Sequence, residues 1–185
     1  MAWPDGSFVV VAAHDPAVLQ HIATSVAILD KNAAASLAAE AQARVAALPE
    51  QGSAVLDDGV VDLRGSSAPT AVCLHVGASP AACSNPFAIN ALGDPSSGAL
   101  PGYAGSAVIS GQWYVFVAAN AEPSFSRNGV LGSALPAETG VIDGLHVALV
   151  VVPAGVDHVQ VLVPTTANQS SGAGFQRPPS VAPPP

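Results

Sequence analysis

Basic residues are scarce in this chain. Lysine and arginine together number 5 among 185 residues, against 13 aspartates and glutamates, which leaves a net charge of −8. Proteins that bind nucleic acids cluster basic side chains to neutralise phosphates, whereas here they are scattered along the sequence. We therefore expect no nucleic-acid partner, and the acidic balance also disfavours attraction to an anionic membrane surface.

Long apolar runs are also missing, although 50% of the residues are hydrophobic. The longest run, residues 145–152, contains His146 and is far short of the ~20 residues that a membrane-spanning helix needs. The N-terminal residues lack the positive charge and the apolar length of a signal peptide. We expect no direct membrane insertion by this chain; for an exported protein, the signal or anchor was removed or lies outside this sequence.

Familiar catalytic and cofactor motifs are absent as well. There is no G-x-S-x-G elbow, H-E-x-x-H pair or Walker loop, and no G-x-G-x-x-G follows a predicted strand. We therefore predict no catalytic residue, no cofactor and no metal. An enzyme would depend on side chains that only folding brings together.

The two cysteines are the most informative residues present. Cys73 lies in an apolar, strand-like run and Cys83 follows a turn-rich loop, with no third thiol in the chain. This pattern predicts a disulfide, which persists mainly outside the reducing cytosol and stabilises a loop of this size by roughly 2 to 3 kcal/mol. Two alternatives stay open: free buried thiols, or a metal held by both cysteines and His75, which shares a strand face with Cys73.

Other polar residues have plain structural interpretations beside functional ones. Histidines near the first helix or in the last strands are candidates for acid–base or metal chemistry, and three aspartates for calcium binding. More simply, they are surface histidines and a β-turn at Asp58-Gly59. These residues are His14, Asp15, His21, His146, His158, Asp57, Asp58 and Asp62.

The order of local patterns predicts an α+β fold. Asp15-Pro16 starts a helical stretch over residues 16–48, with a break near 30–33. Short β runs follow, separated by Gly, Pro, Ser, Asn and Asp; they cover 54–56, 60–63, 71–76, 106–110, 112–118, 141–152 and 156–163. Hairpin turns are expected at Ser110-Gly111 and at 153–155, and loops at 84–105 and 120–140. We expect the N-terminal helical segment to pack on a largely antiparallel sheet with one disulfide.

Two regions are expected: a single domain over residues 1–164 and a disordered tail over 165–185. The tail is rich in Pro, Ser and Gly, a composition that buries too little apolar surface to fold.

One predicted strand carries three aromatic residues. Trp113 shares one face with Val115 and Val117, while Tyr114 and Phe116 share the other. If Tyr114 and Phe116 are exposed, they are candidate binding residues. The alternative is that both faces are buried.

The sequence resembles the uncharacterised extracytoplasmic domains of secreted or membrane-anchored proteins from high-GC bacteria. The features that carry the resemblance are the Asp-Pro helix start, the Val-Cys-Leu strand, the second cysteine and the segment Val152-Pro153-Ala154-Gly155-Val156. In that group the last element often reads Val-Pro-Asp-Gly-Val, so Ala154 departs from it. The resemblance spans about residues 15–163 and implies location and fold, with no activity.

These observations lead to three functional hypotheses. The first is a non-enzymatic extracytoplasmic binding or sensing module for a protein, peptide or envelope component. The second is a hydrolase or metal-dependent enzyme with a histidine-based site. The third is a structural or assembly subunit.

Overall fold

A computed structural model describes residues 31–67, 69–84, 102–127, 133–166 and 169–178. The chain divides into two compact units, Met1–Ala38 and Ala39–Pro185. Of the first unit, only residues 31–38 are described, and they form the start of a helix. The helical prediction over 16–30 and most of the predicted 84–105 loop lie outside the described residues.

One helix and eleven strands are described. The helix α1 spans Lys31–Ala46. The strands are β1 Glu50–Leu56, β2 Gly59–Arg64, β3 Ala71–His75, β4 Ala82–Cys83, β5 Tyr103–Ile109, β6 Gln112–Ala119, β7 Ser124–Arg127, β8 Glu138–Ile142, β9 Leu145–Val152, β10 His158–Thr166 and β11 Gln169–Gln176. No helix in the described ranges is long and apolar enough to cross a membrane.

The strands form three antiparallel sheets. Sheet I has the order β1-β2-β3-β4, sheet II the order β5-β6-β9-β8 and sheet III the order β11-β10-β7. The expectation of a largely antiparallel α+β fold with one disulfide is confirmed, but the single sheet that we expected is three.

Two-residue turns set the register of the hairpins. The predicted Ser110-Gly111 turn is confirmed, with φ values of 53° and 81°, the left-handed geometry that matches the twist of a two-residue hairpin. Asp143 and Gly144 adopt the same geometry, with φ values of 48° and 82°. The prediction of one strand over 141–152 was therefore wrong, because Asp143-Gly144 folds it into the β8–β9 hairpin.

The layers of the second unit pack against one another through three clusters of buried apolar side chains. Val45 of α1 packs on Cys73 and Cys83 at the outer face of sheet I. The other face of sheet I packs on sheet II through residues such as Leu63 and Phe116. The far face of sheet II packs on sheet III, which makes sheet II an inner layer.

The predicted hairpin at 153–155 was wrong. The turn leads from β9 in sheet II to β10 in sheet III, so the two strands never pair. Instead, β9 pairs with β6 and β8, and β10 pairs with β7 and β11. Both strands are rich in buried valines, and placing them in facing sheets buries those side chains between two layers.

Two segments predicted to be irregular contain strands. The presumed loop over 120–140 includes β7, which pairs with β10, and the start of β8. The presumed tail over 165–185 includes β11, which pairs with β10. Gly and Ser are poor strand formers, so the composition of β11 does not predict a strand. Its strand conformation is stabilised by backbone hydrogen bonds to β10. Residues 179–185 lie outside the described ranges.

Candidate functional site

A buried carboxylate on β2 organises the main polar cluster of the structure. Asp62 is only 2% exposed, and its Oδ2 lies 2.7 Å from Nε and 2.5 Å from Nη2 of Arg64. The Nε2 atom of His75 lies 3.2 Å from the same oxygen. Asp62 Oδ1 has no hydrogen-bond partner within the described part of the chain. A buried carboxylate requires such partners, and Arg64 and His75 supply them.

Strand register explains why these residues meet. Asp62 and Arg64 are two positions apart on β2 and therefore share a face. Val60, two positions before Asp62, pairs directly with His75 on β3. Sequence spacing indicates the Asp62–Arg64 proximity, but the approach of His75 depends on the pairing of β2 with β3.

The cluster also fastens the helix to sheet I. Arg64 Nη1 donates to the carbonyls of Ala46 and Leu48 at 2.8 and 3.1 Å, where α1 ends. Cations at this end of a helix satisfy its free carbonyls. Arg64 thus links the buried carboxylate to the C-terminus of the helix.

The predicted disulfide is confirmed and lies beside the cluster. Cys73 and Cys83 are directly paired across β3 and β4, with their Cα atoms 3.9 Å apart. Asp62 is the pairing neighbour of Cys73 on β2. Gln42 of α1 covers this edge, because its amide accepts from Cys83 N at 2.7 Å and donates to Cys83 O at 2.9 Å.

The alternative metal site was wrong, because the two sulfur atoms are bonded to each other. Cys73 and His75 do share a strand face, as predicted from their spacing. In the described ranges, no group of three or more His, Cys, Asp and Glu side chains is arranged to hold a metal.

The other histidines do not join this cluster. His146 lies on β9 in sheet II, between Ala119 and Val141. His158 lies on β10 in sheet III, opposite Gln176. The described histidines therefore occupy three different sheets, and His14 and His21 lie outside the described residues.

The aspartates of the β1–β2 turn meet a residue that sequence analysis did not single out. Asp58 N donates to Glu138 Oε2 at 3.1 Å, although the two residues are 80 positions apart. Burial raises the pKa of the Glu138 carboxyl; the Asp58 and Asp57 side chains add to this rise, and the Asp58 N–H opposes it. Asp62 points elsewhere, so the three aspartates do not form the single acidic cluster that calcium would require.

The exposure that would make Tyr114 and Phe116 binding candidates is not present, and the alternative, burial of both faces of the strand, is what the structure contains. Phe116 is fully buried and Tyr114 is 8% exposed, both in the cluster between sheets I and II. On the opposite side, Trp113 is fully buried between sheets II and III. Strand β6 is covered on both faces because sheet II is an inner layer.

The outer face of sheet I is open away from the helix. Val55 on β1, Val60 on β2 and His75 on β3 form one cross-strand row. The Val55 side chain is 83% exposed, and the His75 side chain is 33% exposed. This row, which we call the Val55 row, places an apolar side chain and a hydrogen-bonding imidazole on the same face, two strands apart with Val60 between them.

Comparison with known proteins identifies no relative of this chain. No protein-family model, curated protein or solved structure matches the chain.

Proposed function

We propose that this chain is a non-enzymatic extracytoplasmic module that binds a protein, peptide or envelope component through the Val55 row. The exposure of Val55 carries the proposal. Most valines of the strands are buried in the three clusters, several at 0% exposure, whereas Val55, on the edge strand β1, is 83% exposed on the sheet I face opposite the core. Contact surfaces combine a desolvated apolar centre with a polar rim, and Val55 with the polar groups of its row supplies both kinds of side chain.

The surroundings of Val55 favour recognition over chance exposure. His75, in the same row, keeps its ring partly exposed while Asp62 holds Nε2 in place. Its Nδ1 atom has no hydrogen-bond partner among the described residues, and we assign it to an external hydrogen bond. The rigid backing of Asp62, Arg64 and the disulfide supports a preformed surface, which reduces the entropy lost on binding.

The disulfide supports the extracytoplasmic part of the proposal. It is fully enclosed, with Cys73 at 0% and Cys83 at 5% exposure. Disulfides that serve structure persist mainly in oxidising compartments.

The experiment compares ligand capture by immobilised wild-type protein and by two variants, using an envelope and secreted-protein extract of the source organism. Val55→Glu places a charge in the proposed surface. Val141→Glu is the matched control, because Val141 is 62% exposed but lies on sheet II. We expect wild type and V141E to retain the same species and V55E to lose them, with unchanged thermal midpoints. Equal capture by all three proteins, or specific capture by none, would overturn the proposal.

A hydrolase is the second candidate, and the Asp62–His75 contact favours it. A carboxylate that orients a histidine is one part of a proton-relay site. However, Arg64 shares the same carboxylate oxygen, and the described part of the chain shows no hydroxyl or thiol hydrogen-bonded to His75. Hydrolysis of a simple activated ester that is lost in His75→Ala and kept in His146→Ala would support the enzyme; equal rates would argue against it.

A further inference from the structure

Strand β11 forms one edge of sheet III. It pairs with β10 from His158↔Gln176 to Val163↔Ser171 without a register shift. Its other side faces no strand within the described part of the chain. Half of its backbone N–H and C=O groups are therefore directed away from the sheet.

Within the described ranges, each of the other sheet edges has a hydrogen-bonded cover, a charged residue or a close neighbour, the kinds of feature that disfavour edge-to-edge association. Gln42 hydrogen-bonds to β4, and residues 133–135 hydrogen-bond to β7. Strands β1 and β8 begin with glutamates, Glu50 and Glu138. Strand β5 is uncharged but lies close to Ser84, whose Cα would be 3.2 Å from a Cβ at Gly105.

Strand β11 has none of these protections. Its sequence, QSSGAGFQ, contains no charge and no proline. The side chains of β10 lie over its two glycines, since a Cβ at Gly172 would be 2.9 Å from Leu162 Cδ2 and one at Gly174 would be 2.9 Å from His158 Nε2. At these two positions β11 has no side chain of its own, so none of its own side chains obstructs the outer hydrogen-bonding edge of the strand there.

The geometry points to a second copy of this chain as the occupant. We propose that two copies pair antiparallel along β11 about a two-fold axis at Ala173, which makes a six-stranded sheet from two copies of sheet III. A two-fold interface must be self-complementary, and this register satisfies that requirement. In backbone register Gly172 pairs with Gly174 and Phe175 with Ser171, so the aromatic residue does not pair with its own copy; Ala173, on the axis, is 4% exposed and part of the core.

The strength and salt dependence of this association follow from its size and charge. One strand edge buries less than the roughly 1,200–2,000 Å² of a stable interface, so the dimer is weak and depends on concentration. Each copy has a net charge of −8, whereas the edge itself is neutral. Added salt screens the repulsion between copies and therefore strengthens the dimer.

The test is sedimentation velocity over a wide concentration range, on wild type and on charge-swap variants. In the proposed register, position 170 of one copy faces position 176 of the other, outside the core face. Ser170→Lys/Gln176→Lys places lysines opposite each other at both ends of the edge, although it lowers the net negative charge. We expect the dissociation constant of the dimer to rise about tenfold, because like charges directly opposite each other destabilise strand pairing. Ser170→Glu/Gln176→Lys places opposite charges in the same positions and should restore the wild-type constant.

Val141→Lys, on β8 of sheet II and 62% exposed, is the control for added charge away from the edge of β11 and should leave the dimer intact. A monomer at all concentrations overturns the proposal. So does evidence that a peptide or another segment of the same chain, rather than a second copy, pairs with the edge of β11. A dimer that the lysine pair does not weaken also overturns it. The outcome is independent of the proposed binding function, because V55E should alter capture without altering mass.

Discussion

Substitution of Arg64 tests the central claim about the polar cluster, that a buried carboxylate depends on this one arginine. Arg64→Ala removes the closest partner of Asp62 and leaves His75, at 3.2 Å, as its remaining contact. It also frees the carbonyls of Ala46 and Leu48 at the end of α1. The change therefore affects the charge and the helix terminus together.

The expected magnitude follows from burial. Breaking a buried ion pair costs about 3 to 5 kcal/mol, because an uncompensated charge stays inside; Asp62 is 2% exposed and the Arg64 side chain 16%. A second pair gives the control: Arg44 and Glu40 lie at the same 2.5 Å distance but are 77% and 56% exposed. Exposed pairs of this spacing contribute about 0.3 to 0.5 kcal/mol, so Arg44→Ala should be nearly neutral.

The assay is urea unfolding of wild type, R64A and R44A with the disulfide intact. A further variant, Asp62→Leu/Arg64→Met, removes both charges and should cost only about 1 to 2 kcal/mol for the lost carbonyl hydrogen bonds. The reasoning is refuted if R64A is no less stable than R44A. It also fails if the double variant is as unstable as R64A, because the loss would then not come from an unpaired charge.

Three further predictions concern the disulfide, one carboxyl and one strand edge. Cys73→Ala/Cys83→Ala should lower the free energy of unfolding by about 2.5 to 3 kcal/mol, from the entropy of a loop with a sequence separation of 10; an unchanged urea midpoint would contradict this. The folded protein binds a proton at Glu138 more tightly than the unfolded chain, since burial raises this pKa, so the stability from this group grows as pH falls from 7 towards 4.5. Glu138→Gln should remove that slope and slightly stabilise the protein at pH 7, and parallel stability curves for variant and wild type would refute it. Gln42→Ala should lower the free energy of unfolding by about 1 to 3 kcal/mol, because it leaves the Cys83 backbone N–H and C=O without the Gln42 partner. Gln51→Ala, which loses one hydrogen bond, should cost less. Equal losses of stability in thermal unfolding would show that the β4 edge does not need Gln42 as a cover.

Several elements could be predicted from local sequence because short-range physics decides them. The Ser110-Gly111 turn requires left-handed backbone conformations that glycine adopts easily, and alternation correctly divided β6 into a Trp113 face and a Tyr114 face. The two cysteines left only one possible intramolecular disulfide, and the structure contains it. The sequence contains the same kind of turn at Asp143-Gly144, and this pair alone would have divided the predicted 141–152 strand into a hairpin.

The errors arose where a partner distant in sequence decides the outcome. Alternation assigns Phe116 and Tyr114 to one face, but it does not reveal that sheet I covers that face. The composition of 165–185 suggested a tail, yet β10 provides a pairing partner for β11 within that segment. Likewise, His75 approaches Asp62 only because β2 and β3 pair in one particular register.

The sequence by itself determined the character of several parts: some of the strands and turns, such as β6 and Ser110-Gly111, the only possible intramolecular disulfide, and a weakly charged, acidic composition without a basic cluster. These properties follow from backbone preferences, side-chain alternation and composition, which act over a few residues. Tertiary structure decided which faces became interior, which strands share a sheet and where Val55 and the edge of β11 remain open. Such choices depend on how layers stack, because the same apolar strand face can be surface or core until another sheet covers it.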